Sequence, residues 1–182
     1  MSDAAQAARL LAQADCLVSA VECRAALERI AREIKAAAGD AFPLVLAVMG
    51  GAVVFAGKLL PLLDFPLEFD YLHVSRYGSK TTGGVLTWKV EPKENVQGRT
   101  VIVLDDILDE GETMHAIRER VLGLGAAHFF AAVFCEKRID KPKPIQADFV
   151  GVTVPNRYVF GYGMDVAGLW RNLPAIHAVH GK

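Results

Sequence analysis

Residues 100 to 104 read TVIVL, and the run ends in two aspartates, Asp105 and Asp106. A β-branched stretch with no polar alternation describes a strand covered on both faces, not one lying half in water. Such a strand requires layers above and below its sheet, and that requirement restricts the fold more than any other feature of the chain. Leu44 to Met49 is a second continuous apolar run of this kind.

Helical patterns separate the strands. Leu17, Val18, Val21, Leu27, Ile30 and Ile34 recur at helical spacing and predict a helix over residues 16–38, with Gly39 as its stop. After the pair Gly50-Gly51 the pattern is helical again to about Leu63. Residues 67–75 form a strand candidate with Phe69, Tyr71 and His73 on one side. Residues 76–84, RYGSKTTGG, carry the signature of a mobile loop. A short strand follows at 85–90, then the strand at 100–104, a helix over 111–125 and strands at 129–134 and 149–154. Alternating helices and buried strands imply an α/β fold with a mostly parallel sheet flanked by helices. No internal repeat or linker interrupts the pattern, so residues 1–182 are expected to form one domain.

Composition supports a real core. The 182 residues are 52% hydrophobic, and a domain of this size buries roughly 70% of the surface its unfolded chain exposes. With 20 Lys+Arg against 21 Asp+Glu the net charge is −1, which argues against a nucleic-acid partner, because that affinity comes from excess cations at phosphates. Residues 41–63 contain a single charge, Lys58, but Pro43, Pro61 and the glycine pair break the run. A buried strand–turn–helix accounts for it better than a membrane span. Cys16, Cys23 and Cys135 have no metal-like spacing, and their odd number points to a reducing compartment. The N-terminal segment has no targeting pattern, so a cytoplasmic location is expected.

The chemistry concentrates in residues 101–114, VIVLDDILDEGETM. In open α/β sheets ligands sit beyond the carboxyl ends of the strands. Here Gly111 opens a helix whose first N–H groups suit a phosphate, and Thr113 adds a hydroxyl. Adjacent carboxylates at Asp105 and Asp106 suit Mg²⁺ or the paired hydroxyls of a ribose. Helix capping explains Asp109, Glu110 and Glu112, but not two acids ending an apolar strand. A nucleoside triphosphatase would need a G-x-x-x-x-G-K-[ST] loop, which the chain lacks. A phospho-accepting signalling domain places its acid pair after an early strand. A third class that could own such a strand binds a ribose 5-phosphate.

The stretch resembles the phosphoribosyl-diphosphate signature of the type I phosphoribosyltransferases: an apolar strand, two acids, two apolar residues, Asp, a residue often Thr, Gly and Thr. Residues 45–60, 74–84, 134–138 and 148–173 are similar to the corresponding segments of the hypoxanthine-guanine members. The resemblance implies a central sheet with a small hood built from the terminal segments. It implies that Asp105 and Asp106 contact the ribose or its magnesium, and that Asp109 is the acid/base group facing purine N7. Residues 109–113, including Glu110, Gly111, Glu112 and Thr113, would cradle the 5′-phosphate. Gly50 and Gly51 would form the pyrophosphate loop, and Arg76 and Tyr77 would belong to the loop that closes over the reaction. Lys137 would donate to the purine 6-oxo group, Tyr158 would stack on the base and the Val159 backbone would read its edge. Asp165 would help hold a second magnesium and Arg171 would reach the pyrophosphate. Met49 stands where the family often has Lys, Glu110 where Thr is common, and Arg76 where vertebrate relatives have Ser.

The activity so implied is purine salvage: transfer of the 5-phosphoribosyl group from 5-phosphoribosyl diphosphate to hypoxanthine or guanine. A xanthine-preferring enzyme and a non-catalytic nucleotide-sensing regulator are the alternatives. Asp109 favours an enzyme, since binding alone requires no acid there. The partners expected are the diphosphate and the purine base, with no membrane partner. A homo-oligomer, dimer or tetramer, is also expected, and apolar surface on the first long helix can support a dimer.

Overall fold

The two apolar runs of the sequence lie side by side within a six-stranded sheet. The structure, a computed structural model, describes residues 3–77, 85–92 and 94–181. It opens with helix α1 (Asp3–Ala12), strand β1 (Asp15–Val18) and helix α2 (Ala20–Ala38). Strand β2 (Leu44–Met49), helix α3 (Val53–Leu59) and strands β3 (Glu68–Tyr77) and β4 (Val85–Val90) follow. Then come β5 (Thr100–Leu108), helix α4 (Glu112–Gly123), β6 (His128–Lys137) and β7 (Phe149–Val154), with short strands β8 (Val159–Phe160) and β9 (Ile176–Ala178) last.

The main sheet has the order β4-β3-β2-β5-β6-β7, and every pairing is parallel except that of β4 with β3. Val101 to Leu104 are fully buried, as are Leu44, Val45 and Ala47 opposite them. Each of the Val, Leu and Ile side chains among them stabilises the fold by about 1.5–3 kcal/mol relative to exposure. Helix α2 packs on β7, α3 on β5 and α4 on β6. Arg29 of α2 fastens the first of these contacts by donating to the carbonyls of Val150 (2.8 Å) and Gly151 (2.6 Å). A second sheet, β1-β9-β8, joins the two ends of the chain and forms the hood.

Three expectations from the sequence need correction. Residues 15–18 are not helical: they pair antiparallel with β9, and the helix begins only after Ser19. The Ser19 hydroxyl accepts from the Glu22 N–H, and the Glu22 carboxylate accepts from the Ser19 N–H, a reciprocal cap that fixes the boundary. Strand β5 does not stop at the aspartates but runs to Leu108, because β6 continues beside it and pairs Leu108 with Glu136. The strand at 67–75 extends through Arg76 and Tyr77, which pair with Leu86 and Val85. The remainder of the expected loop, residues 78–84, and the side chains of Arg76 and Tyr77 lie outside the described residues.

The apolar face of α2 (Cys23, Ala26, Leu27, Ile30, Ile34) is buried in the molecule's own core, so only isolated residues such as Val21 remain for a partner on that helix. Residues 41–63 resolve into β2, α3 and short 3-10 turns. Among the described residues no helix is long and apolar enough to cross a membrane. All three cysteines are free; Cys16 is exposed, and burial pushes the Cys23 thiol up to about 11.

Candidate active site

The strand order reverses between β2 and β5: the chain builds outward from β2 through β3, then returns to place β5 on the other side of β2. At such a switch point the connections leave the carboxyl ends in opposite directions and open a crevice. The crevice here is a cavity of about 530 Å³ lined by Gly50 and Gly51 after β2, His73 on β3, Asp105 to Leu108 on β5 and Asp109 to Met114 at the start of α4. Asp165 and Arg171 close it from the hood.

Glycine is required where β2 ends, because a Cβ on Gly51 would lie 2.0 Å from Oδ2 of Asp106. The loop after β2 therefore passes directly over the acid pair. The Met49–Gly50 peptide is cis. Asp105 is 9% exposed, and its Oδ1 accepts from the Asp106 N–H at 2.9 Å. Burial, then the neighbouring Asp106 charge, raises the Asp105 carboxyl well above the usual range, and burial raises Asp106 as well. Arg171 lies 3.9 Å from Asp106 and 2.5 Å from Asp165, and donates to the carbonyl of Gly163 at 2.6 Å. It ties the hood to the end of β5 and places a cation beside the carboxylates.

Gly111 caps α4 with φ 87° and offers no side-chain acceptor to the first turn. The N–H groups of that turn are left for a ligand, at the end of a helix whose dipole favours an anion. The acids of the turn are matched by one downstream segment. Lys137 Nζ donates to Asp109 at 2.6 Å, Lys141 Nζ to Glu110 at 2.6 Å and Lys143 Nζ to the Leu108 carbonyl at 3.0 Å. Three lysines thus engage three consecutive residues. Glu110, the departure from the family pattern, pairs with Lys141 and adjoins a second cavity beside Lys137.

The structure brings together most of the residues read from the sequence: Gly50, Gly51, Asp105, Asp106, Asp109, Glu110, Gly111, Glu112, Thr113, Asp165 and Arg171 all line one cavity. Lys137 joins through Asp109. Tyr158 and Val159 do not line that cavity. Val159 is buried in β8 opposite Ala178, whereas Tyr158 is 48% exposed and so is not the core residue its type suggests. His73, on the strand expected at 67–75 and given no role there, lines the cavity. Lys141 and Lys143 went unread because a lysine in a Pro-Lys loop carries no pattern that sequence alone can place.

Comparison with known proteins gives this geometry its context. The family described as "Phosphoribosyl transferase domain" matches residues 17–167. The chain is 38% identical over 152 residues to the hypoxanthine-guanine-xanthine phosphoribosyltransferase of Tritrichomonas foetus, covering 82% of each chain. It is 33% identical over 161 residues to the hypoxanthine-guanine phosphoribosyltransferase of Bacillus subtilis, covering 88% of this chain and 89% of that one. A Bacillus anthracis hypoxanthine-guanine phosphoribosyltransferase, solved with a HEPES molecule in its active site, superposes with a TM-score of 0.84 at 28% identity, over 91% of this chain and 98% of that one.

Proposed function

The chain belongs to the phosphoribosyltransferase family, and from that premise we propose that it salvages purines by transferring the 5-phosphoribosyl group of 5-phosphoribosyl diphosphate to hypoxanthine or guanine. The observation that carries this reading is the switch-point cavity, in which a buried acid pair and the open first turn of α4 face one space.

The sugar phosphate is proposed to lie across this cavity. Its 5′-phosphate takes the backbone amides of Glu110, Gly111, Glu112 and Thr113 together with the Thr113 hydroxyl, while Asp105 and Asp106 accept from the ribose hydroxyls. Gly50, Gly51 and Arg171 hold the pyrophosphate. The base is read by Lys137 and Asp109, a donor and an acceptor held side by side. A 6-oxo purine protonated at N7 presents the complementary acceptor and donor on one edge, so the pair opens to it and closes without it. A 6-amino group meets Lys137 donor to donor, which disfavours adenine. Tyr158 supplies the stacking face and the Val159 backbone the edge contact. As the C1 bond to pyrophosphate lengthens, Arg171 stabilises the charge developing on the leaving group. Asp109 accepts the N7 proton as N9 attacks.

The donor set suits magnesium. Asp105 and Asp106 on β5 and Asp165 from the hood each offer hard oxygens to this cavity, and among the described residues no three acids, histidines or cysteines form a ready-made metal cage. Mg²⁺ commonly takes one or two carboxylates together with substrate phosphates and water. Bound there, it would neutralise charge on the diphosphate. The proposed setting is the cytoplasm, without a nucleic-acid partner, in keeping with the net charge of −1. No membrane partner is proposed. Half-exposed Phe69 and Tyr71 on β3 support a homo-oligomer, dimer or tetramer.

Initial rates with hypoxanthine, guanine, xanthine and adenine, with and without a chelator, test the reading. We expect turnover with the first two, little with adenine, and loss on chelation. Preference for xanthine would move the assignment to the xanthine-specific alternative, and absence of turnover with every base would overturn it.

A further inference from the structure

Lys143 is 11% exposed in its side chain, yet it lies in a surface loop whose other lysine, Lys141, is largely solvated. Its ammonium donates to the carbonyl of Lys137 at 2.7 Å, the carbonyl of Leu108 at 3.0 Å and the carboxylate of Glu136 at 3.1 Å. All three donors are used, which is what a buried ammonium requires. The two carbonyls matter most. The parallel ladder between β5 and β6 has its last recorded rung at Leu108 and Glu136. Beyond it the pairing stops, with Asp109 next on one strand and Lys137 next on the other. Lys143 bridges the strand ends at that point, from the residue preceding Asp109 to Lys137 itself. Its Cβ also packs beneath Gly111, 3.4 Å from where a Cβ there would lie.

We propose that Lys143 is a positioning residue for base recognition, fixing the spacing between the Asp109 carboxylate and the Lys137 ammonium by clamping the backbone carbonyls beneath them. This rests on the function proposed above, because it assigns that pair to the purine edge. The Glu136 bond is secondary: it balances the charge of the clamp without setting its span.

Lys143→Met tests the clamp, since it keeps most of the aliphatic stem under Gly111 and removes only the ammonium. Glu136→Gln is its control, since it leaves both carbonyl bonds in place. Steady-state kinetics in both substrates, with thermal melting to check folding, should split the parameters. For K143M the KM for hypoxanthine should rise about tenfold or more and kcat should fall, while the KM for 5-phosphoribosyl diphosphate stays within about twofold. E136Q should stay within about twofold of the native enzyme in every parameter. If K143M does not fold, K143R, which keeps the charge but spreads the donors, should show the same selective rise for the base. A folded variant with unchanged base KM, equal losses for both substrates, or an E136Q as impaired as K143M would overturn the clamp while leaving the proposed activity intact. A native protein inactive with every purine would overturn the activity, and the clamp with it.

Discussion

Asp105 and Asp106 are held where water cannot easily reach them, and that placement works against the ligand-free protein. Burial raises the Asp105 carboxyl, so the folded state binds its proton more tightly than the unfolded state does. The contribution of this group to stability is therefore fullest below the ordinary carboxylate range and is lost as pH rises through the raised folded value. Asp105→Asn removes the buried charge. In the ligand-free protein it should raise the melting midpoint at neutral pH by about 2–4 °C, the effect of about 1 kcal/mol in a chain of this size. It should also flatten the pH dependence of melting and abolish nucleotide binding. A lower midpoint at neutral pH would contradict the account. Asp109 differs, being half exposed and paired with Lys137. Asp109→Asn should lower kcat about 100-fold or more while 5-phosphoribosyl-diphosphate affinity changes by about twofold at most. Equal losses in both would undo its acid/base role. Asp105 and Asp106 could be found in the sequence because two charges within an otherwise apolar strand violate the strand's own pattern, whereas the role of Asp109 was implied by the family resemblance. Lys141 and Lys143, which bond Glu110 and the Leu108 carbonyl, could not, since they reach the turn only after the chain has folded back past β6.

The long helix α2 shows how an element boundary can be written in the chain and still be passed over. Leu17 and Val18 fit the helical spacing of the residues that follow, so a four-residue strand is absorbed into the pattern. The decisive signal is Ser19 with Glu22 three positions on, just ahead of the apolar stripe. Removing the cap with Ser19→Ala should cost about 1 kcal/mol and lower the melting midpoint by about 2–4 °C, with kinetic constants unchanged. A change in KM for either substrate would show that this end of α2 reaches the site. Strands β5 and β6 pose the opposite problem. Both run past their apolar stretches because each satisfies the other's backbone hydrogen bonds, and side-chain pattern carries no record of a partner's length. The helix α1 carries buried Ala7, whose carbonyl accepts from the Trp170 indole at 3.1 Å, a contact with the distant hood that local periodicity cannot reveal.

At the scale of the molecule, one topological choice makes the site. Laying β3 on one side of β2 and β5 on the other brings the glycine loop and the acid-tipped strand to the same edge. The hood, stitched from residues near both ends of the chain, then lowers Arg171 and Asp165 onto that edge. Parallel buried strands were readable in the apolar runs, but their order was not, because each interior strand looks alike from its own residues. The resemblance to a known family implied the central sheet and the hood, and the order of the strands within the sheet came only from the structure. The placement of the sugar phosphate is tested most directly by a crystal structure with a bound nucleoside monophosphate. The account predicts the phosphoryl group on the backbone of residues 110–113, the ribose hydroxyls at Asp105 and Asp106, and the purine edge between Asp109 and Lys137. A phosphoryl group settled away from Gly111 and Thr113 would contradict it.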